Sequence, residues 1–413
     1  MKISITAKAS VLCLLVAALT ACGLHSPSES ETIPAVASGS DTPITHVGYL
    51  DTVNQYAISP DGLYTVCQVQ LGGENLFYVD AQSRQETYLC AVPNCTHDSE
   101  ECTSWLPMNG EYGYGIFFFD SHLYVLQNTA TQSHGPYLMQ MDPDGTNHKI
   151  VLELQDGESF LGSVFGYGSS LLMEINVVDE TGTSHSRLER IDPQTGERAI
   201  MLEYPNQEKQ VFTLMGAAGT KLIYLCTNYE QNQYFTVDLS QPDASLEQWQ
   251  DNLLGPQFDN TTSYCNVQGN YFCTYDTKTN RLGYENLLTG ETREFDAPTL
   301  APGERLYGLV CLFDDQFALT MNDAQNNVVW ALLDTESGEL TGVRYTSTKE
   351  NSHMILGDFG NSIICRVRDE EQPLKGQEKE GLVNELGYYS VYSIMCKDDF
   401  LKGVEGAEIA FPG

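Results

Sequence analysis

The sequence lacks the short motifs that mark common catalytic centres. It has no Gly-x-Ser-x-Gly nucleophile elbow, no His-Glu-x-x-His zinc motif, no phosphate-binding P-loop and no Gly-x-Gly-x-x-Gly dinucleotide motif. The string nearest to an elbow, Gly166–Ser170, lacks the second glycine. We therefore assign no catalytic residue from the sequence.

Positive charge is also scarce. The 413 residues include 21 Lys and Arg against 56 Asp and Glu, which gives a formal net charge of −35. A surface this acidic repels the phosphates of nucleic acids and of anionic membranes. We therefore expect no nucleic-acid partner, although the charge by itself does not identify another partner.

Apolar runs long enough to span a bilayer are missing. The run from Val11 to Leu19 is shorter than the roughly 20 residues that a spanning helix needs. It follows Lys2 and Lys8, as in an export signal, and ends in Leu-Thr-Ala-Cys22-Gly. This ending resembles the lipobox of bacterial lipoproteins, Leu-x-Ala/Gly-Cys. The alternative is an ordinary secretory signal with a chance cysteine at its cleavage site.

The lipobox resemblance implies that residues 1–21 are a signal peptide and that Cys22 carries a diacylglyceryl group. Removing Lys2 and Lys8 with the signal would take the charge from −35 to −37. Residues 22–44 are rich in Ser, Thr and Pro and predict a flexible tether with a reach of about 25 Å. We therefore expect a membrane partner through the lipid on Cys22, and a location at the extracellular face of the cell membrane.

A repeat of about 50 residues runs through residues 45–413. Each copy has a polar or glycine-bearing turn followed by a strand of alternating or continuous apolar residues. The first strand residues are Leu63, Leu123, Leu171, Leu222, Tyr271, Phe317 and Ile363, at intervals of 60, 48, 51, 49, 46 and 46 residues.

Each repeat contains four predicted strands. An apolar run precedes the repeated strand, and a hairpin-like pair follows it around turns such as DPDG, DPQTG, LLTG and TESG. Four strands per unit predict an all-β fold, a single β-propeller of seven four-stranded antiparallel blades. Two β-sandwiches are the alternative. We expect Ile44 to Leu50 to close the ring as an outer strand beside Tyr388 to Cys396.

The lipobox, the tether and repeats that end in DPDGT or TGE together resemble the propeller lipoproteins of clostridial, Gram-positive bacteria. These proteins are similar in outline to TolB-type propellers, and the resemblance covers nearly the whole chain. It implies an anchored propeller outside the cell. It implies little about activity, because propellers host many chemistries.

One dense group of potential metal ligands lies at residues 90–102. Cys90, Cys95, His97 and Cys102 follow the spacing C-x4-C-x-H-x4-C, which resembles a CxxPxCxH…C insertion common in those lipoproteins. Three thiolates and an imidazole are a ligand set of structural Zn²⁺, although the spacing is not that of the usual zinc modules. The competing interpretation is a disulfide that joins Cys102 to Cys90 or Cys95. The third alternative is that the loop forms neither, and in all three cases we expect its role to be structural.

Two functions remain open at this stage. The first is a non-catalytic binding or scaffold module at the cell envelope, with an envelope protein or a glycan as its ligand. The second is a carbohydrate-active or other hydrolytic enzyme with acidic residues at the mouth of the propeller channel. Three or more convergent carboxylates or histidines in the channel would favour the enzyme.

Overall fold

The computed structural model describes residues 41–49, 55–107, 114–130, 134–206, 210–228, 232–259, 262–313, 316–347, 354–375 and 386–412. All of them fall in one compact unit, residues 34–413. The predicted lipidation site Cys22, the leader 1–21 and most of the tether 22–44 lie outside the described residues. Within these ranges, no helix is long and apolar enough to cross a membrane.

The unit contains seven antiparallel sheets, and each is a blade built from consecutive strands. Strand β1, Ile44–Tyr49, precedes the blades. Blade 1 contains β2–β6: Tyr56–Ser59, Gly62–Gln70, Gly73–Asp80, Gln85–Tyr88 and Trp105–Pro107. Blade 2 contains β7–β10: Gly115–Phe119, His122–Gln127, Tyr137–Met141 and Lys149–Glu153. Blade 3 contains β11–β14: Glu158–Tyr167, Ser170–Val178, Ser184–Ile191 and Arg198–Pro205.

The remaining four blades follow the same order. Blade 4 contains β15–β18: Val211–Ala218, Lys221–Thr227, Asn232–Asp238 and Glu247–Gln248. Blade 5 contains β19–β22: Ser263–Gln268, Tyr271–Asp276, Arg281–Asn286 and Thr292–Asp296. Blade 6 contains β23–β26: Arg305–Phe313, Gln316–Asn322, Val328–Leu333 and Leu340–Ser347. Blade 7 contains β27–β30: Met354–Phe359, Ser362–Pro373, Leu386–Cys396 and Ala407–Glu408, with the short helix α1, Lys397–Leu401, before β30.

This topology confirms the predicted seven-bladed propeller. Each of the seven residues that define the sequence repeat lies at the first or second position of the second strand of its blade. Six of them are buried, and Tyr271 is partly buried. Side chains at these positions pack against the neighbouring blade, as Leu123 of blade 2 does in a cluster with Leu76 of blade 1. The ring is therefore stabilised mainly by apolar packing between adjacent sheets.

The turns after the third strands share one capping device. A side chain at the end of each third strand accepts a hydrogen bond from within the turn that follows. These residues are Asp80, Asp142, Asp192, Asp238, Asn286, Asp334 and, in blade 7, Cys396. The predicted turn glycines Gly145, Gly196, Gly290 and Gly338 all have positive φ, between 72° and 77°. Local turn chemistry thus repeats once per blade.

The predicted closure by Ile44 to Leu50 is wrong. Strand β1 pairs antiparallel with β11, the first strand of blade 3, with Ile44 opposite Tyr167. It also contacts β7 and β15, the first strands of blades 2 and 4, so β1 lies on the axial side of these blades, in the central channel. The outer strand of blade 7 is instead β30, which comes from the same stretch of chain.

Close packing explains why β1 fits the channel. A Cβ atom on Gly48 would lie 2.6 Å from the Cβ of Phe117, so only glycine permits this approach. Ile44 is buried, and its backbone N–H donates to the Gly219 carbonyl of blade 4 at 2.7 Å. The edge of blade 7 offers no comparable place, because β30 already covers it.

Candidate metal centre

The Cys/His loop interrupts the outer strand of blade 1. Strand β5 pairs with β4 from Phe77 to Asp80, and β6 pairs with β4 from Gly73 to Asn75. Between them the loop leaves the sheet. Just before the loop, the Leu89 N–H donates to the Leu76 carbonyl. Just after the loop, the Ser104 carbonyl accepts from the Leu76 N–H at 2.8 Å. This insertion explains the 60-residue interval, and it lies within blade 1 rather than after it.

The four predicted ligands converge. One donor atom from each of Cys90, Cys95, His97 and Cys102 lies within 4.8 Å of every other. The Nδ1 atom of His97 lies 3.3 Å from the Sγ atom of Cys102, so the imidazole faces the sulfurs. Three sulfurs and one nitrogen around a point can hold a tetrahedral Zn²⁺ ion.

The competing disulfide interpretation has no counterpart in the described residues. All ten cysteines there are free thiols, including the three in the loop. That interpretation also places the imidazole of His97 away from the sulfurs, whereas the ring lies against Cys102.

The loop backbone curls around the sulfurs. Asn94 and His97 both adopt the left-handed region, with φ of 56° and 59°, which bends the chain sharply at both positions. The Val92 N–H donates to the Cys90 sulfur, and the His97 N–H donates to the Cys95 sulfur, both at 3.4 Å. Backbone donors of this kind stabilise thiolate ligands and orient them.

The electrostatics of the loop differ from one ligand to the next. Burial alone would raise the pKa of the Cys90 thiol, but hydrogen bonds from the Val92 N–H and neighbouring side chains lower it overall. Burial raises the pKa of Cys102 to about 12. Burial, with the nearby charge of Lys375, lowers the pKa of His97, so its imidazole is neutral at pH 7. A metal ion would have to displace a proton from Cys102, and its affinity would fall in acid.

A buried amide holds the base of the loop. Asn75 on β4 is fully buried, and its Nδ2 donates to the Ser104 Oγ at 2.9 Å and to the His97 carbonyl at 3.4 Å. Its Oδ1 accepts from the Nε2 of Gln70 at 3.0 Å. This network links the metal loop to the body of the sheet.

Blade 7 supports the same loop from the other side. The ring of Tyr88 stacks on the imidazole of His97 with centroids 4.1 Å apart and an interplanar angle of 6°. The Nζ of Lys375 donates to the Tyr88 hydroxyl at 3.2 Å. Lys375 follows β28 and is bonded through its backbone to Val69 and Leu71 of blade 1. No sequence pattern predicts this support, because Lys375 lies far from the loop along the chain.

The channel beside β1 contains a cavity of about 290 Å³. Its lining residues are His46, Val47, Gly48, Tyr56, Ala57, Ile58, Phe118 and Leu356. They include one imidazole and one phenol but no carboxylate. The surrounding chain desolvates the ring of His46 and lowers its pKa to about 4, so this imidazole is neutral at pH 7, although the residue retains an exposed surface. Sequence reasoning missed His46, because β1 was expected outside the channel.

Comparisons with known proteins give similarity of fold only. No family model and no curated protein matches the sequence. An oligogalacturonate lyase in complex with manganese is 12% identical, with a TM-score of 0.46 over 88% of this chain and 100% of that chain. An oligogalacturonate lyase from Vibrio parahaemolyticus is 10% identical, with a TM-score of 0.47 over 87% and 94%. TolB from Acinetobacter baumannii is 15% identical, with a TM-score of 0.35 over 89% and 82%. At these scores the similarities carry no argument about function.

Proposed function

We propose that this protein is a lipid-anchored extracellular propeller that acts as a non-catalytic binding or scaffold module at the cell envelope. The proposal rests on one observation, the residues and the strand that fill the central channel. The enzyme hypothesis needs convergent acids or histidines there, whereas β1 occupies the channel and the lining of its cavity contains no carboxylate. The anchor is the lipid on Cys22, at the end of the tether that leads into β1.

The rim of the channel provides a surface for a partner. Leu161, Val211, Tyr264 and Tyr307 are 38%, 57%, 42% and 45% exposed. Each lies near the start of the first strand of blade 3, 4, 5 or 6, whereas β1 enters the channel beside the ends of those strands. These apolar and aromatic side chains therefore surround the mouth opposite the tether. Such residues suit contact with an envelope protein or a glycan.

The proposal includes a structural Zn²⁺ bound by Cys90, Cys95, His97 and Cys102. Four protein ligands complete a tetrahedral site, so no position remains for a substrate or for an activated water. The ion would hold the insertion of blade 1 in shape beside the hairpin of blade 7. It would contribute stability and no chemistry.

The proposal is tested by binding of the chain from Gly23 onward, which lacks the lipidated cysteine, to the envelope fraction of cells that make the protein, so that retention depends on the rim and not on the anchor. The variant Tyr264→Ser/Tyr307→Ser should reduce retention on that fraction about tenfold or more, since exposed aromatic residues dominate such contacts. The matched control is Leu288→Ser, because Leu288 is 56% exposed but lies in a turn at the other end of blade 5. Bound glycan or peptide should remain intact. Release of cleaved product by the purified protein would contradict the proposal, and so would unchanged binding by the double variant.

A further inference from the structure

A cleft between blades 7 and 1 holds a cavity that no part of the proposed function uses. Its volume is about 200 Å³, and its walls come from β2, β3, β5, β27, β28 and β29. This is room for about seven water molecules at their liquid volume. The cavity is smaller than the roughly 300–1,000 Å³ of typical ligand pockets, so it fits only a small molecule.

Three charged side chains line the cavity. Asp369 accepts a hydrogen bond from the Ser390 hydroxyl at 2.7 Å, whereas Glu86 and Arg366, of opposite charge type, have no partner among the described residues. Glu86 on β5 is 6% exposed, and its carboxyl forms no hydrogen bond or ion pair with any described residue. The Nε of Arg366 on β28 is buried without a hydrogen bond, and the guanidinium forms no ion pair with any residue that the structure describes. Buried charged groups in proteins are ordinarily paired.

The same fold pairs its buried charges where they serve the structure. In blade 3, Arg198 bonds Glu158 at 2.9 Å and Glu189 at 2.6 Å. Glu86 and Arg366 therefore differ from the buried ion pairs elsewhere in the ring. Because both lie on the wall of one cavity, a single molecule placed there can satisfy both.

We propose that this cleft binds a small zwitterion of the α-amino acid class. The ligand carboxylate accepts from the Nε–H of Arg366, and the ligand ammonium donates to the carboxylate of Glu86. A ligand with one charge leaves the other group unpaired. The hydroxyl-bearing side chains of Tyr56 and Tyr392 also line the cavity and add polar contacts.

Protonation of Glu86 provides a second test of this ligand class, because binding should release a proton. Burial raises the pKa of Glu86 to about 8, so its carboxyl holds a proton at pH 7 while the cavity contains no cation. An ammonium group stabilises the ionised form, so binding releases a proton to the buffer. This inference goes beyond the proposed function, which requires neither the cleft nor a small ligand.

Isothermal titration calorimetry of the full chain at pH 7 tests the inference. The probes are glycine, L-alanine and L-serine, with N-acetylglycine and glycinamide as matched compounds that lack the ammonium or the carboxylate. At least one of the three zwitterions should bind, with heat that depends on the ionisation enthalpy of the buffer. The matched compounds should bind about tenfold more weakly or worse, a difference of about 1.4 kcal/mol.

Variants locate the site. Glu86→Gln and Arg366→Gln should each weaken binding about tenfold or more. Glu74→Gln should not, because Glu74 is a similarly buried acid of blade 1 that lies outside the cavity. Failure of all three amino acids to bind the folded wild type at millimolar concentration overturns the inference. Equal binding of N-acetylglycine, or unchanged binding by a folded Glu86→Gln protein, overturns it too. If a variant fails to fold, the inference is tested by comparing the three zwitterions with N-acetylglycine and glycinamide on the wild type.

Discussion

Replacing Asn75 by alanine should lower the melting temperature of the metal-loaded protein by about 4 °C. The Asn75 amide is fully buried and bonds Gln70 at 3.0 Å and Ser104 at 2.9 Å. Both partners are also buried, and an orphaned buried polar group costs about 1–3 kcal/mol. The 3.4 Å contact with the His97 carbonyl is long and adds little.

These losses amount to about 3 kcal/mol of unfolding free energy. The folded unit of about 370 residues has an unfolding entropy near 0.8 kcal/mol/K, which converts this loss to about 4 °C. Because Asn75 anchors the metal loop, the variant should also lose part of the stabilisation that added Zn²⁺ gives the wild type. Excess ligand stabilises the native state by mass action, so a weakened site gains less.

The assay is differential scanning calorimetry of both proteins, with Zn²⁺ and with a chelator. The control is Asn252→Ala, because Asn252 is also buried, donates to the Trp249 carbonyl at 2.6 Å, and belongs to blade 4. Its loss should lower the melting temperature without changing the effect of zinc. A shift below about 1 °C for Asn75→Ala, or an equal zinc effect in all three proteins, would contradict the role assigned to Asn75.

Three further predictions address the anchor, the core and the channel. Cys22→Ala should abolish labelling by a palmitate analogue and leave the precursor uncut, and label that persists on the variant rejects the anchor. Burial raises the pKa of Glu174 to about 7, so the native state holds a proton that the unfolded chain releases above about 4.5. Stability should therefore fall as pH rises from about 4.5 to 7, and Glu174→Gln, which can still accept from Tyr204, should flatten that fall in thermal melts. Gly48→Ala places a methyl group against Phe117 and should speed hydrogen exchange of the β1 amides, so unchanged protection of β1 rejects its placement in the channel.

Local patterns explain why the architecture could be predicted from the sequence. Leu63 and its six counterparts recur because the second strand of every blade needs a large apolar residue where it packs against the neighbouring blade. The turn glycines of blades 2, 3, 5 and 6 recur because those hairpins need positive φ, as at Gly196. Both signals lie within a few residues of the structure that they specify. The placement of β1 depends on the fit of Gly48 against another blade, which no local pattern contains.

The two candidate sites, the metal centre and the cleft between blades 7 and 1, also differ in how far the sequence predicts them. The four ligands of the metal centre lie in one stretch of 13 residues, so their spacing was visible in the sequence. Their supports were not visible, because Lys375 reaches the loop only after the ring has closed. Glu86 and Arg366 are 280 residues apart and carry no motif. Only the meeting of the first and last blades brings them to one cavity.

Metal analysis is the most direct test of the proposed zinc centre. The full chain should be purified anaerobically, and its zinc measured by mass spectrometry beside a thiol count in denaturant with chelator. We expect one zinc per chain and ten free thiols besides Cys13 and Cys22, with zinc lost in Cys95→Ser and retained in Cys226→Ser, whose cysteine lies in blade 4. Absence of bound metal together with a missing pair of thiols would contradict it and establish the disulfide instead.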